Sequence, residues 1–179
     1  MAQGVPAVGE TAPAFDLDDA RGERLTLERF RGRKVALIFL RHLGCPICRM
    51  ELANLQRRQD ELAQRKAEVV VFVESPAESV SEFARRKDVR FHVVADAQHA
   101  VYSAYGIERG TLAAFLAPGA LGKALRATFR GHLHGRCEGS ELQLPGDFIV
   151  DAEGKIAFAH RGTHIGDNTP LDTLLQALG

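Results

Sequence analysis

The segment VALIFLRHLGCPICRMEL, residues 35–52, carries the clearest structural signal in this chain. It begins with an unbroken apolar run from Val35 to Leu40, a pattern typical of a strand covered on both faces in a parallel or mixed sheet. Helix formers follow from Pro46 to about Lys66. Apolar side chains recur along them at spacings of four, three and seven residues, at Cys48, Leu52, Leu55 and Leu62. The segment therefore predicts a buried strand that leads into an amphipathic helix.

Two cysteines three residues apart lie where this strand meets this helix. Cys45 is placed to be the helix N-cap and Pro46 the first helical residue. Unpaired backbone N–H groups and the helix dipole stabilise a thiolate at such a position. Three further residues add positive charge nearby: Arg41, His42 and Arg49. Because Cys48 heads the apolar stripe, we expect Cys48 to face inward and Cys45 to face solvent.

This arrangement indicates redox chemistry at a dithiol. We expect Cys45 to attack a disulfide sulfur, or to be oxidised, and Cys48 to resolve the product by forming a Cys45–Cys48 disulfide. No metal or organic cofactor is expected. One alternative is that both are ordinary buried cysteines. Another is half of a zinc site completed by His132, His134 or Cys137, although a second closely spaced cysteine pair is missing from the sequence.

The rest of the chain alternates strand and helix patterns around this unit. A small hairpin is expected over residues 15–27, strands at 69–73 and 91–94, a late hairpin at 148–158 and a final helix at 171–178. Residues 1–14 form a lead-in, and residues 107–142 an insertion with a long glycine-rich loop. The order predicts one α/β domain over 1–179, a three-layer sandwich with a mixed central sheet flanked by helices and an insertion before the final ββα unit.

The composition of the chain argues against several classes of function. The chain has 179 residues, 45% of them hydrophobic, and its 23 Lys and Arg balance 23 Asp and Glu. Without a net charge there is no field to hold nucleic acid or an anionic membrane. Apolar runs are too short for a transmembrane helix, and no secretory signal is visible, so a cytoplasmic location is expected. Three cysteines are too few for a disulfide scaffold.

Four segments resemble the peroxiredoxin-like branch of the alkyl hydroperoxide reductase and thiol-specific antioxidant (AhpC/TSA) superfamily. They are FLRHLGCPICRMEL (39–52), VVVFVESPAES (69–79), VVADAQHAVYSAYGI (93–107) and LPGDFIVDAEGKI (144–156). The resemblance runs from about Val8 to Gly179. It implies a thioredoxin-like fold, an antioxidant role, a thiol reductant of thioredoxin or glutathione type, and a disulfide or peroxide substrate. Such folds often pair through exposed edges, so a homodimer is included among the expectations.

The match departs from true peroxidases at the positions that bear chemistry. Their P-x-x-x-T-x-x-C pattern aligns with Arg41, Cys45 and Cys48, so only the last cysteine is kept. Their activating arginine corresponds to Pro145. In thioredoxins and related dithiol oxidoreductases a cis-proline at that place flanks the C-x-x-C, and GCPICRME is similar to their WC-x-x-C-R-x-E, with Gly44 in place of tryptophan. The resemblance thus makes Cys45, Cys48 and Pro145 the expected catalytic residues.

Three functions follow from these patterns. The first is a thiol-disulfide oxidoreductase in which Cys45 attacks, because the helix end should leave it more accessible than Cys48. The second is a thiol-dependent peroxidase that reduces hydroperoxides through Cys48, with Cys45 resolving. The third is a non-catalytic redox sensor or binding module that uses its thiols only as a switch, or not at all.

Overall fold

A five-stranded mixed sheet forms the centre of the molecule. The computed structural model describes residues 5–179. Its strands are β1 (Asp16–Asp18), β2 (Arg24–Thr26), β3 (Val35–Phe39), β4 (Glu68–Val73), β5 (His92–Ala95), β6 (Gly146–Val150) and β7 (Ile156–Arg161). The central sheet has the order β5-β4-β3-β6-β7. Strands β3, β4 and β5 run parallel to one another, β6 is antiparallel to β3, and β7 is antiparallel to β6. β1 and β2 pair separately as the predicted hairpin.

Helices cover both faces of this sheet. They are α1 (Pro46–Arg57), α2 (Gln59–Gln64), α3 (Ala77–Lys87), α4 (Ala100–Ala104), α5 (Leu112–Phe115), α6 (Pro118–Phe129) and α7 (Leu171–Leu178). Alternate residues of β3 point to opposite faces. Ile38 joins the core beneath α1, α3 and α7, whereas Leu37 and Phe39 join the core beneath α4 and the β1–β2 hairpin. The mixed sheet between two helical layers confirms the predicted thioredoxin-like sandwich.

The helix predicted from Pro46 to about Lys66 is divided at Arg58. That residue has φ −112° and ψ 17°, outside helical geometry, and its N–H bonds to the Leu55 carbonyl in a tighter turn. No glycine or proline marks the break, so the pattern of helix formers continues across it. Leu62 of α2 is nevertheless buried in the same core as Leu52, as its spacing predicts.

Segments outside the alternating pattern also occupy defined places. The lead-in lies alongside the β6–β7 hairpin, where the Gly9 N–H donates to the Ile156 carbonyl at 2.8 Å. Residues 1–4 of that predicted lead-in lie outside the described residues. The segment 107–142 contributes α5 and α6 and then a long loop. Within residues 5–179, none of the helices combines the length and apolarity that crossing a bilayer requires.

Candidate active site

Cys45 lies at the start of α1, as its sequence context predicts. After β3 ends, the chain turns so that the Cys45 N–H bonds to the His42 carbonyl at 3.1 Å. Cys45 is the helix N-cap, with extended backbone angles, and Pro46 is the first helical residue. Its Sγ accepts a hydrogen bond from the Cys48 N–H at 3.4 Å. The sulfur thus receives one of the backbone donors that a helix start leaves free.

A buried arginine holds the same sulfur. Arg41 is only 3% exposed, and its Nη2 donates to Cys45 Sγ at 2.7 Å. Its Nη1 donates to the Glu141 carbonyl at 2.5 Å and lies 3.2 Å from Glu141 Oε2. A guanidinium stays charged at all physiological pH values, so it favours the thiolate of Cys45. This arginine replaces the proline of the peroxidase pattern.

These contacts shift the pKa values of the two thiols in opposite directions. A hydrogen bond from the Cys48 thiol and the charge of Arg41 lower the pKa of Cys45 to about 6, against the opposing effect of burial. Burial raises the pKa of Cys48 well above its ordinary value. At neutral pH the pair therefore holds one thiolate, at Cys45, and one protonated thiol, at Cys48. Both cysteines are free in this structure.

The prediction that Cys45 faces solvent is wrong. Cys45 is 0% exposed and Cys48 is 3% exposed. Residues 131–145, termed here the covering loop, lie against the turn that leads to the dithiol, and the Gly135 N–H donates to the Gly44 carbonyl at 2.8 Å. A side chain at Gly44 would overlap the Arg136 carbonyl. The tryptophan of the related motif could not be accommodated here, because the covering loop occupies its space.

His42 and Arg49 are the other two side chains that the sequence places near the dithiol as positive neighbours. In the structure they contact the covering loop rather than the Cys45 sulfur. His42 is buried, and its Nε2 lies 2.9 Å from Glu141 Oε1. Arg49 Nε donates to the Leu43 carbonyl at 2.6 Å, and its Nη1 donates to the Leu133 carbonyl at 3.2 Å. Both side chains therefore join the α1 end of the site to the covering loop.

Pro145 lies where the covering loop enters β6. The next residue, Gly146, pairs with Phe39 at the end of β3, so the proline is at the same edge of the sheet as the turn that leads to the dithiol. The expectation of a cis-proline is wrong, because no peptide bond among residues 5–179 is cis. The Pro145 carbonyl accepts a 2.9 Å hydrogen bond from Gly162, which extends the β6–β7 pairing in a trans backbone.

Glu141 is the site residue that the sequence analysis missed. It is separated from Arg41 by 100 residues in the sequence and lies in a loop without periodicity, so no local pattern connects the two. Cys137, named above only as a possible zinc ligand, lies beside His42 and Glu141. Within residues 5–179, the two clusters with metal-ligating side chains in reach of one another include neither Cys45 nor Cys48.

The chain is similar to known thiol proteins in both sequence and structure. Peroxiredoxin Bcp of Escherichia coli (strain K12) is 29% identical over 99 residues, which are 55% of this chain and 64% of Bcp. The thiol-disulfide oxidoreductase ResA of Geobacillus thermodenitrificans is 35% identical over 102 residues, 56% of this chain and 58% of ResA. The chain therefore matches less than two thirds of either relative's length.

The fold comparison and the family match cover far more of the chain. The crystal structure of peroxidoxin BcpB from Mycobacterium tuberculosis superposes with a TM-score of 0.67 at 20% identity, covering 97% of this chain and 96% of that one. That likeness establishes the thioredoxin-like fold. The AhpC/TSA family model matches residues 8–159. Since the match extends over most of the sequence, the chain belongs to the AhpC/TSA family.

Proposed function

We propose that the protein is a thiol-disulfide oxidoreductase that cycles Cys45 and Cys48 between dithiol and disulfide, with Cys45 as the attacking thiol. The observation that carries this proposal is the environment of the Cys45 sulfur. It accepts hydrogen bonds from Arg41 Nη2 and from the Cys48 N–H at the start of α1. A thiolate is the nucleophile in disulfide exchange, so the thiol with the lower pKa should attack.

The proposed reaction has two exchange steps. The Cys45 thiolate attacks one sulfur of a substrate disulfide, which forms a mixed disulfide and releases the other substrate sulfur as a thiolate. Cys48 then loses its proton and attacks Cys45 Sγ, which releases the second substrate thiol and leaves a Cys45–Cys48 disulfide. Two electrons pass from the dithiol to the substrate. The departing thiolates take up the protons that the two cysteines lost.

Either one dithiol or two monothiol molecules must restore the reduced enzyme, and are themselves oxidised to a disulfide. We propose a thiol reductant of thioredoxin or glutathione type, because exchange with a thiol is the reverse of the first half of the cycle. Burial of both sulfurs in the closed structure requires the covering loop to move before substrate or reductant can reach them. Contacts that hold this loop near the dithiol include the Gly135–Gly44 hydrogen bond and the bond from Arg49 Nη1 to the Leu133 carbonyl. Glu141 of the loop also contacts Arg41 and His42.

Trapping of the mixed disulfide tests the attacking residue. Cys48→Ser leaves the intermediate unresolved, so reaction with a disulfide substrate should accumulate an adduct on Cys45 that mass spectrometry detects. Cys45→Ser is the matched control and should trap no adduct. Because Cys137 could form adducts of its own, both variants are made in a Cys137→Ser background. An adduct that forms only in the Cys45→Ser protein would reverse the assignment.

A thiol-dependent peroxidase is the second candidate, because the chain belongs to a family whose members include proteins named peroxiredoxins. In that mechanism the Cys48 thiolate attacks the peroxide and becomes a sulfenic acid, releasing an alcohol or water. Cys45 then displaces water from this sulfenic acid and forms the disulfide. The raised pKa of Cys48 opposes this assignment.

Stoichiometric hydrogen peroxide distinguishes the two candidates. If Cys48 is the peroxidatic residue, rapid peroxide loss should survive Cys45→Ser and vanish in Cys48→Ser. If the dithiol serves exchange, peroxide loss should be no faster than that of an ordinary thiol, while the Cys45–Cys48 disulfide still forms. A disulfide that neither thioredoxin nor glutathione can reduce would instead favour a non-catalytic redox sensor.

A further inference from the structure

Four side chains with metal-ligating atoms converge beside the dithiol, outside the groups used above for thiol exchange. They are His42, His134, Cys137 and Glu141. One ligating atom each from His42, Cys137 and Glu141 lie within 4.8 Å of one another. Glu141 Oε1 is also 3.2 Å from His134 Nε2 and 2.9 Å from His42 Nε2. One carboxylate oxygen is thus flanked by two imidazole nitrogens.

The hydrogen bonds of His134 leave its other nitrogen facing this oxygen. His134 Nδ1 lies 2.7 Å from the Gly135 carbonyl, which can only accept, so Nδ1 must carry a proton. In the neutral ring Nε2 then has a lone pair, and that lone pair points at Glu141 Oε1, which is also an acceptor. The lone pairs of both atoms thus point into the same space, where a metal ion could accept them. An N–H donated to a backbone carbonyl is the usual support of a metal-ligating histidine.

His42 supplies a second, independent observation. The side chain is fully buried, with Nε2 directed at Glu141 Oε1, and no hydrogen-bond partner meets its Nδ1. The contact of Nε2 with Glu141 Oε1 is therefore the hydrogen-bonding contact that orients this imidazole. Arg41 contacts the other carboxylate oxygen, Oε2, at 3.2 Å. Oε1 is thus the carboxylate oxygen that faces the two histidines.

The donor set and the spacing suit a borderline transition metal. Zinc takes four ligands from imidazole, thiolate and carboxylate, and tetrahedral bonds of about 2.0–2.3 Å put the ligating atoms roughly 3.3–3.5 Å apart. The two N–O separations of 2.9 and 3.2 Å are already near that spacing. Cys137 is exposed, and its Sγ lies within 4.8 Å of ligating atoms of His42 and Glu141. His134 contacts the cluster through Glu141 Oε1, so metal binding requires the covering loop to bring His134 and Cys137 closer together.

We propose that His42, His134, Cys137 and Glu141 bind a divalent transition metal ion of the zinc type. His42 belongs to the turn that leads to Cys45, whereas the other three belong to the covering loop. A bound ion would therefore join the loop to the turn and keep the dithiol covered. This role is regulatory and adds no step to thiol exchange. Metal binding converts the Cys137 thiol to a thiolate and releases its proton.

Cobalt(II) titration of a variant without the dithiol tests the site. The Cys45→Ser/Cys48→Ser protein removes the only other cysteines, so any sulfur-to-cobalt charge-transfer band must come from Cys137. We expect one ion per chain, with that band and the visible bands of tetrahedral cobalt. Zinc added to the cobalt-loaded variant should displace the cobalt. Circular dichroism confirms that the double variant is folded before the titration.

Single changes in the same background assign the ligands. Cys137→Ser should abolish the charge-transfer band, and His134→Ala should weaken binding at least about tenfold. Both side chains are exposed, so neither change should prevent folding. His132→Ala, at a nearby half-buried histidine outside the cluster, is the matched control and should bind as its parent does. No stoichiometric binding by the folded double variant, or unchanged binding by His134→Ala, overturns the proposal.

Because the variant lacks both dithiol cysteines, this result does not depend on the proposed exchange reaction. A zinc-dependent slowing of hydrogen exchange in residues 131–145 would extend it to loop closure. Unchanged exchange in the zinc-loaded variant would contradict the closing role.

Discussion

At the level of single residues, a hydrogen bond from the Cys48 thiol and the charge of the Arg41 guanidinium together lower the pKa of Cys45. Arg41 is buried, and it reaches both the Cys45 sulfur and Glu141. Family peroxidases place their activating arginine at the position of Pro145, so this chain supplies the positive charge from a different direction. The functional consequence is that Cys45, rather than Cys48, becomes the acidic thiol.

Arg41→Met should raise the pKa of Cys45, by roughly 1–3 because an opposite charge close to the thiolate is lost. The pH dependence of iodoacetamide alkylation at Cys45, followed by mass spectrometry, measures this change. We expect the wild-type rate to rise through a midpoint of about pH 6 and the variant to need a higher pH. Arg57→Met, at the far end of α1, is the control. Identical profiles for wild type and Arg41→Met would refute the role of the guanidinium.

Asp147 is a second residue whose environment has a measurable consequence. It lies fully buried in β6, where its Oδ2 accepts a hydrogen bond from the Thr169 N–H at 2.7 Å. Burial raises the pKa of this carboxyl from 3.8 to about 6. The folded state therefore holds a proton that the unfolded chain has already released between those two values. The stability from this group is complete below about pH 4 and is lost as pH rises through about 6.

Asp147→Asn should remove that pH dependence. The amide is neutral like the protonated acid and can still accept the Thr169 hydrogen bond. We expect the free energy of unfolding of the wild type to fall by about 2–3 kcal/mol more than that of the variant between pH 4 and pH 7. Urea denaturation at several pH values measures the difference. Asp60→Asn, at an exposed side chain, should keep the wild-type slope, and a variant at Asp147 with that same slope would contradict the argument.

At the level of elements, the covering loop decides whether the start of α1 is accessible. The loop packs so closely that Gly44 has no room for a side chain. In this structure Cys45 at the start of α1 has a lowered pKa, and its side chain is buried from solvent. Reactivity and access are therefore controlled by separate parts of the molecule.

Gly44→Ala should displace the covering loop, because the new methyl group would overlap the Arg136 carbonyl. We expect several-fold faster alkylation of Cys45 at neutral pH and a loss of about 1–3 kcal/mol in the free energy of unfolding, as in other overpacked sites. Gly122→Ala is the matched control, since its added methyl group meets open space on α6. That control should leave alkylation unchanged. Slower alkylation in Gly44→Ala would count against the loop as the barrier.

At the level of the whole molecule, α6 leaves an apolar surface uncovered. Ala120 and Ala127 are buried on its inner side, while Leu121, Leu125 and Phe129 on its outer side are 51%, 63% and 85% exposed. The spacing of four residues aligns these three side chains on one helical face. Two copies related by a twofold axis could bury the same face against each other.

We therefore predict a homodimer that pairs these α6 faces. Sedimentation velocity on the wild type should give the mass of two chains, and Leu125→Gln with Phe129→Gln should shift it toward one. Val8→Gln, another exposed apolar position, should not change the mass. A wild type that sediments as a single chain at micromolar concentration would contradict the prediction.

The strands, the main helices and the position of the dithiol could be predicted from the sequence, because their signals are local. Apolar spacing identifies β3 and the buried stripe of α1, and the pair Cys45-Pro46 marks the helix start. The break at Arg58 could not be predicted, since no residue type there disfavours a helix. One domain over residues 1–179 remains a prediction.

The sequence by itself determined which chemistry the chain can carry and the fold that presents it, since a C-x-x-C between a buried strand and a helix depends only on neighbours along the chain. Tertiary structure alone decided that Cys45 is buried, that Glu141 joins Arg41, and that the peptide bond before Pro145 is trans. Each of these depends on where the covering loop lies. The burial of Cys45 and the pairing of Arg41 with Glu141 depend on segments about 100 residues apart in the sequence. No local sequence pattern predicts that these segments meet in the folded chain.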